Sequence, residues 1–155
     1  MPTIQKLASK LNQEIAKSLI RNVRAMPADK VTWAPLEKGR TALAQLQECT
    51  VITGFTIYTL QKHELPADFN EAFAREAGEM DTVEKAIARL EERSAILGSV
   101  IEAFPDADLD KTIKMPWEEE PSSLAELMFM NYWNNAYHVG QIAYIQTLYG
   151  DSEMH

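Results

Sequence analysis

Asn131, Asn134, His138 and Gln141 follow one another at steps of three and four residues in the C-terminal part of the chain. That spacing puts all four on one face of a helix. Leu124, Leu127, Ile145 and Leu148 extend the same stripe at both ends, and Met128, Phe129, Met130, Tyr132, Trp133, Tyr137 and Ile142 flank it. A helix apolar nearly all round is mostly buried, and a buried polar group without a partner costs about 1–3 kcal/mol. Upstream, Glu48 sits among Ala44, Val51, Ile52 and Phe55 at helical spacing. A buried carboxylate must be paired or must hold a cation, so Glu48 and His138 are expected to meet across a core. Two chemistries fit that meeting. One is a hydrogen-bonded core network. The other is a metal or small-molecule site, with Glu48 and His138 as ligands, Asn134 as a third, weak oxygen ligand, and Asn131 and Gln141 lining its pocket. A third use, with His138 as general base and Glu48 setting its tautomer, has no nucleophile beside it. Cys49 points about 100° away from Glu48 around the helix and reads as a small packed residue. Gln45 or Gln47 would face inward if that helix were rotated.

The elements that must position these groups are separated by prolines, which break helices. Four long windows remain. The first, residues 3–25, carries Ile4, Leu7, Leu11, Ile15 and Leu19 as its apolar stripe. The second, 41–62, carries Leu43, Leu46, Val51, Ile52, Phe55 and Leu60. The third, 82–103, carries Val83, Ile87, Leu90, Leu97 and Ile101, and the fourth, 123–149, carries the polar stripe. Asp81 with Glu84, and Ser123 with Glu126, have capping-box spacing, and Gly150 marks a helix end. Each window is about 30–40 Å long at 1.5 Å per residue. Four matched helices predict an all-α four-helix bundle, with a short extra helix near 69–77 in a long loop. Gly54 and Gly140 read as close-packing points, and His63 as a cap at the end of the second helix.

Composition bounds the partners. The chain has 155 residues, 15 Lys+Arg against 23 Asp+Glu, and a net charge of -8. No excess basic charge is available for nucleic acid or an anionic membrane. One cysteine excludes an internal disulfide and any CxxC site. No stretch approaches 18 uninterrupted apolar residues. The expectation is one cytoplasmic domain over residues 1–155.

Two segments resemble the DinB-like superfamily, the group that includes YfiT-type metalloenzymes. Asn134-Asn135-Ala136-Tyr137-His138-Val139-Gly140-Gln141 is similar to its HxxxHxGQ signature. Gly39-Arg40-Thr41-Ala42-Leu43-Ala44-Gln45-Leu46-Gln47-Glu48, with Trp33–Pro35 before it, is similar to the start of its second helix. The resemblance implies a bundle with crossover connectivity, homodimerisation, and a divalent metal, nickel or zinc, on three histidines. It also implies kinship with bacterial metal-dependent thiol transferases. By that resemblance the ligand positions are Glu48, Asn134 and His138, so two of the three histidines are replaced. The functions it implies are a small-molecule or divalent-metal pocket between the second and fourth long helices, or a non-enzymatic, stress-related homodimeric binding or scaffold protein that has lost the metal.

Overall fold

Every long window forms a helix because each has a side-chain cap and a buried stripe. The structure is a computed structural model and describes residues 3–36 and 38–155. Helix α1 spans Ile4–Ala25, α2 Ala42–Lys62, α3 Phe69–Glu79, α4 Val83–Glu102 and α5 Leu124–Leu148. Thr3, Thr41, Thr82 and Ser123 accept from the backbone N–H three residues on. The capping box at Ser123 and Glu126 is complete. The one expected at Asp81 is not used: Thr82 is the cap, and Asp81 instead pairs with Lys85 at 2.7 Å. Gly150 takes φ 94° just beyond α5, the left-handed turn that glycine adopts without steric cost.

The long helices make a four-membered ring in which α1 and α2 each pack between α4 and α5. Asn12 reaches the carbonyl of Met128, and Gln146 reaches that of Asn22, so α1 and α5 run parallel. Gln45 meets His138 and Thr53 meets Asn131, so α2 runs against α5. Gln5 bonds the Phe104 carbonyl and Arg24 bonds Glu91, so α4 runs against α1. The order is up, down, down, up, and the connections 26–41 and 103–123 cross between diagonal helices. The second of these pairs Thr112–Ile113 with Ser122–Ser123 as a two-rung antiparallel ladder, a minor strand element in a chain whose periodicity predicts none. No helix among the described residues is long and apolar enough to cross a membrane.

The buried face of α1 differs from the expected stripe. Ile4 and Leu7 are exposed, Leu11 and Ile15 are half-buried, and the core side is Ala8, Ser9, Asn12, Ala16, Leu19, Ile20 and Val23. The cause is close approach. A Cβ on Gly98 of α4 would lie 2.5 Å from the Gln13 amide and 3.3 Å from the Ser9 hydroxyl, so the Ser9 face of α1 lies close against α4. The second helix buries Thr50, Thr53, Thr56 and Thr59 at three-residue spacing. Thr50, Thr56 and Thr59 donate to the carbonyl four residues back, which removes the cost of burying them, and the Thr53 hydroxyl lies 2.7 Å from the Cys49 carbonyl. Arg93 lies over Gly54, where a Cβ would be 2.7 Å from the guanidinium, and it donates to the Thr50 carbonyl at 2.9 Å. Gly54 is a close-packing point, as expected. Gly140 is not: nothing lies within 4 Å of where its Cβ would be.

Candidate functional site

Two apolar clusters fill the bundle, one around Leu19, Leu46, Leu90 and Ile142, the other around Phe55, Leu97, Ile101, Leu124 and Met128. The residues between them on each helix are polar: Asn12 on α1, Thr53 on α2, Ser94 on α4, and Asn131 and Asn135 on α5. Thr53 donates to Asn131 Oδ1 at 2.8 Å, and Asn131 Nδ2 donates to Asn12 Oδ1 at 3.2 Å. Asn12 Nδ2 closes the chain on the carbonyls of Ala8 and Met128, both at 2.8 Å. Asn131, expected to line a pocket, is therefore a fully engaged core residue.

One turn along α5 the network becomes ionic. His138 is 1% exposed. Its Nε2 lies 2.9 Å from Glu48 Oε1. Its Nδ1 faces the side-chain oxygens of Gln45 at 3.0 Å and Gln141 at 2.9 Å. The other carboxylate oxygen of Glu48 takes Arg40 Nη2 at 2.5 Å. The bond to His138, with Arg40 adding to it, holds the Glu48 carboxyl below the usual 4.5 against the opposing cost of burial. Of the two rotations of α2 open from the sequence, Gln45 is the residue that faces inward to His138. Gln47 turns to the carbonyls of Ala77 and Met80 and ties down the end of α3.

Asn134 does not join this cluster. It is half-buried, and its Nδ2 lies 3.7 Å from Cys49 Sγ. Burial pushes the Cys49 thiol well above its ordinary range, with the charge of Glu48 adding to the effect, so Cys49 stands as a neutral, packed thiol. The deeply buried asparagine is its neighbour Asn135, whose amide nitrogen and oxygen have no hydrogen-bond partner among the described residues. The stripe is broader than a three-four ladder implies because α5 faces α1 and α2 together, and Asn135 falls on the α1 side. An unsatisfied buried amide is costly. Asn135→Val is therefore expected to raise stability by about 1 kcal/mol, or ~2–4 °C at this length. A lower melting temperature for that variant would show that the amide has a partner in solution.

A cavity of about 440 Å³ is lined by Pro35, Arg40, Gln45, Tyr137, Gly140, Gln141, Tyr144 and Ile145, and through Arg40, Gln45 and Gln141 it adjoins the Glu48–His138 pair. That volume is ordinary for a small-molecule site. Among the described residues its lining holds one cation, Arg40, and no carboxylate. Arg40 lies in the loop just before the α2 cap, a place no periodicity marks. The only signal for it in the sequence is its position within the segment that ends at Glu48.

A sequence profile of the DinB superfamily matches residues 12–142. The chain belongs to the DinB superfamily. YfiT from Bacillus subtilis, described as a probable metal-dependent hydrolase with an unusual four-helix bundle topology, is similar in structure with a TM-score of 0.80. It is 13% identical, over 96% of this chain and 89% of that one. A mycothiol-dependent maleylpyruvate isomerase is similar with a TM-score of 0.67 and 12% identity, over 92% of this chain. This chain spans 63% of the isomerase. No curated protein sequence matches.

The superfamily resemblance and the name of YfiT raise the question of a metal, and the residues present do not fit one. Among the described residues no three His, Cys, Asp or Glu side chains gather into a group that could hold an ion. At this site Glu48 and His138 are bonded to each other, and the guanidinium of Arg40 lies against the carboxylate oxygen a dication would need. A fixed cation there repels a second one.

Proposed function

We propose that this chain is a metal-independent binding protein on the DinB fold, taking a small organic anion into the cavity beside His138. The observation that carries the reading is the position of Arg40. One edge of its guanidinium is bonded to Glu48, and the residue is the cation among the described lining residues of the cavity in a chain of net charge -8. A guanidinium offers five donors in a planar fork, so it can hold Glu48 and a ligand carboxylate together. Tyr137 and Tyr144 supply flat walls for an apolar body, and Gln141 a polar edge. His138 supports the site by fixing Glu48 and Gln141 through its two ring nitrogens. The isomerase neighbour is named for a small-molecule substrate, which supports a pocket of this class through the fold alone.

Titration with benzoate and 1-naphthoate, followed by calorimetry and by chemical-shift changes, tests the reading. Wild type is expected to bind with an affinity unchanged by a chelator, and Arg40→Gln to bind at least ~10-fold more weakly, the loss of one charge-assisted contact. Stoichiometric retention of nickel or zinc by the wild type, abolished by His138→Ala, would establish the metal reading instead.

A further inference from the structure

Two cavities lie along the seam between α1 and α4. The first, about 640 Å³, starts at Gln13, which packs over Gly98, and has Ala16, Ile20 and Ala95 in its wall. The second, about 520 Å³, has Val23, Val83 and Ile87 in its wall. Arg24 and Glu91 line both, and their ion pair, at 3.2 Å, is where the two meet. Both of its side chains are more than half exposed, so parting the pair costs little. From Ser94 to Val83 the resulting groove follows α4 for about 16 Å at 1.5 Å per residue.

We infer that this groove binds a linear alkyl carboxylate, the chemistry of a free fatty acid, with its head at Lys17, Arg21 and Ser94 and its tail toward Val83. Shape selects a chain over a ring system. Among the described residues the lining of both cavities has no aromatic side chain, and its apolar walls are aliphatic along the whole seam. A span of about 16 Å matches an extended dodecyl chain, and each volume lies in the range of ligand sites. Charge selects the head and its direction. The Ser94 end carries Lys17 and Arg21, both exposed. Among the described residues neither is in an ion pair, and Arg21 meets only the Ser18 hydroxyl, at 3.4 Å. The Val83 end carries Asp81 and Glu84 instead, so an anion is drawn to one end and repelled from the other. Ser94 adds an independent observation. It lines the groove at the Lys17 end, and its hydroxyl oxygen is buried with no hydrogen-bond partner among the described residues. A buried hydroxyl left open is costly, and a carboxylate oxygen at that end supplies its acceptor.

The groove is separate from the site already described. In the ring of helices the α1–α4 seam lies opposite the α2–α5 seam, and the described lining of the Arg40 cavity shares no residue with it.

Calorimetric titration with octanoate, decanoate and dodecanoate, each below its micelle concentration, tests the groove. Wild type is expected to bind one equivalent, with affinity rising about two- to fourfold per added methylene, the gain for partial to full burial. Dodecylamine, the same tail under a cationic head, is expected to bind at least ~10-fold more weakly. Ala88→Trp, at an exposed position in the second cavity, is expected to weaken dodecanoate at least ~10-fold with unchanged far-ultraviolet circular dichroism. Lys17→Glu combined with Arg21→Glu is expected to lose all three acids, and Ser94→Ala to weaken each about three- to tenfold. A wild type that ignores dodecanoate, an affinity indifferent to chain length, or equal binding of dodecylamine overturns the proposal. So does dodecanoate binding that falls with Arg40→Gln and survives Ala88→Trp, because the acid then sits in the other cavity. Two further results would overturn it by naming another occupant. Co-sedimentation of wild type with phosphatidylglycerol vesicles, lost on Lys17→Glu with Arg21→Glu, would name a membrane surface. A wild-type dimer dissociated by Ala88→Trp would name a second copy of the chain.

Discussion

Glu48→Ala is expected to destabilise the protein by about 2–3 kcal/mol, which at this chain length is a fall of ~5–10 °C in melting temperature. The magnitude follows from what is left behind. Without the carboxylate, His138 Nε2 loses its acceptor inside a nearly closed core, and Arg40 loses the ion pair with Glu48. A fully buried pair would cost more, about 3–5 kcal/mol. Glu48 keeps 23% of its side chain exposed, and water screens part of the loss. The sign of the pH dependence is fixed by the depressed carboxyl. A group whose folded pKa lies below its unfolded value stabilises the fold above the unfolded value. That contribution is lost as pH falls through the folded value. The stability gap between wild type and Glu48→Gln is therefore expected to be constant above about pH 5 and to shrink in acid below 4.5. A cycle with His138→Gln isolates the pair: a coupling of at least ~1 kcal/mol is expected for side chains in direct contact. Additive single changes would mean that the two residues are stabilised separately, and the ionic network would lose its meaning.

The sequence carried the bundle further than it carried the site, for physical reasons visible at single residues. Prolines, caps and the three-four spacing locate the four long helices to within a residue of their observed ends. Glu48 is legible as a misplaced charge on an apolar face, and His138 as its counterpart, because burying either alone is expensive. Rotation about a helix axis was harder. In α1 the large apolar residues Ile4 and Leu7 look inward on paper, yet at Gly98 the Ser9 face of α1 lies close against α4, and Ala8, Ser9 and Asn12 are the buried residues there. Crossing distance belongs to a pair of helices and leaves no periodicity in either. Asn134 and Asn135 show the same difficulty at one step of 100°. Both fall on the edge of the stripe, and which of them is buried depends on whether α5 faces one neighbour or two. Arg40 lies outside every helix, so no pattern selects it, although it sets the charge of the site.

By the superfamily resemblance, this chain carries Glu48 and Asn134 at positions where a metal-binding bundle has histidines. Glu48→His, Asn134→His and Arg40→Gln combined are therefore expected to confer stoichiometric zinc or nickel binding that wild type lacks. Each change has a distinct physical task. The two histidines give, with His138, three neutral imidazoles from facing helices, a donor set that suits both ions. Removing Arg40 takes away the cation that now rests on position 48. Asn134 already lies on the α2 side of α5, close to Cys49, so an imidazole there starts one residue from the position it must meet. Gln45 and Gln141 remain to accept from His138 Nδ1, which leaves Nε2 to bind the ion and supplies the orienting contact that metal histidines need. With metal in hundredfold excess over its dissociation constant, linkage predicts a gain of about 2.7 kcal/mol, and the gain must vanish on adding a chelator. The histidines alone, with Arg40 kept, are expected to bind far more weakly, because the guanidinium stays in the place of the ion. A folded triple variant that retains no metal after dialysis would show that positions 48, 134 and 138 do not converge, and would remove the correspondence with the superfamily's metal site on which the comparison rests.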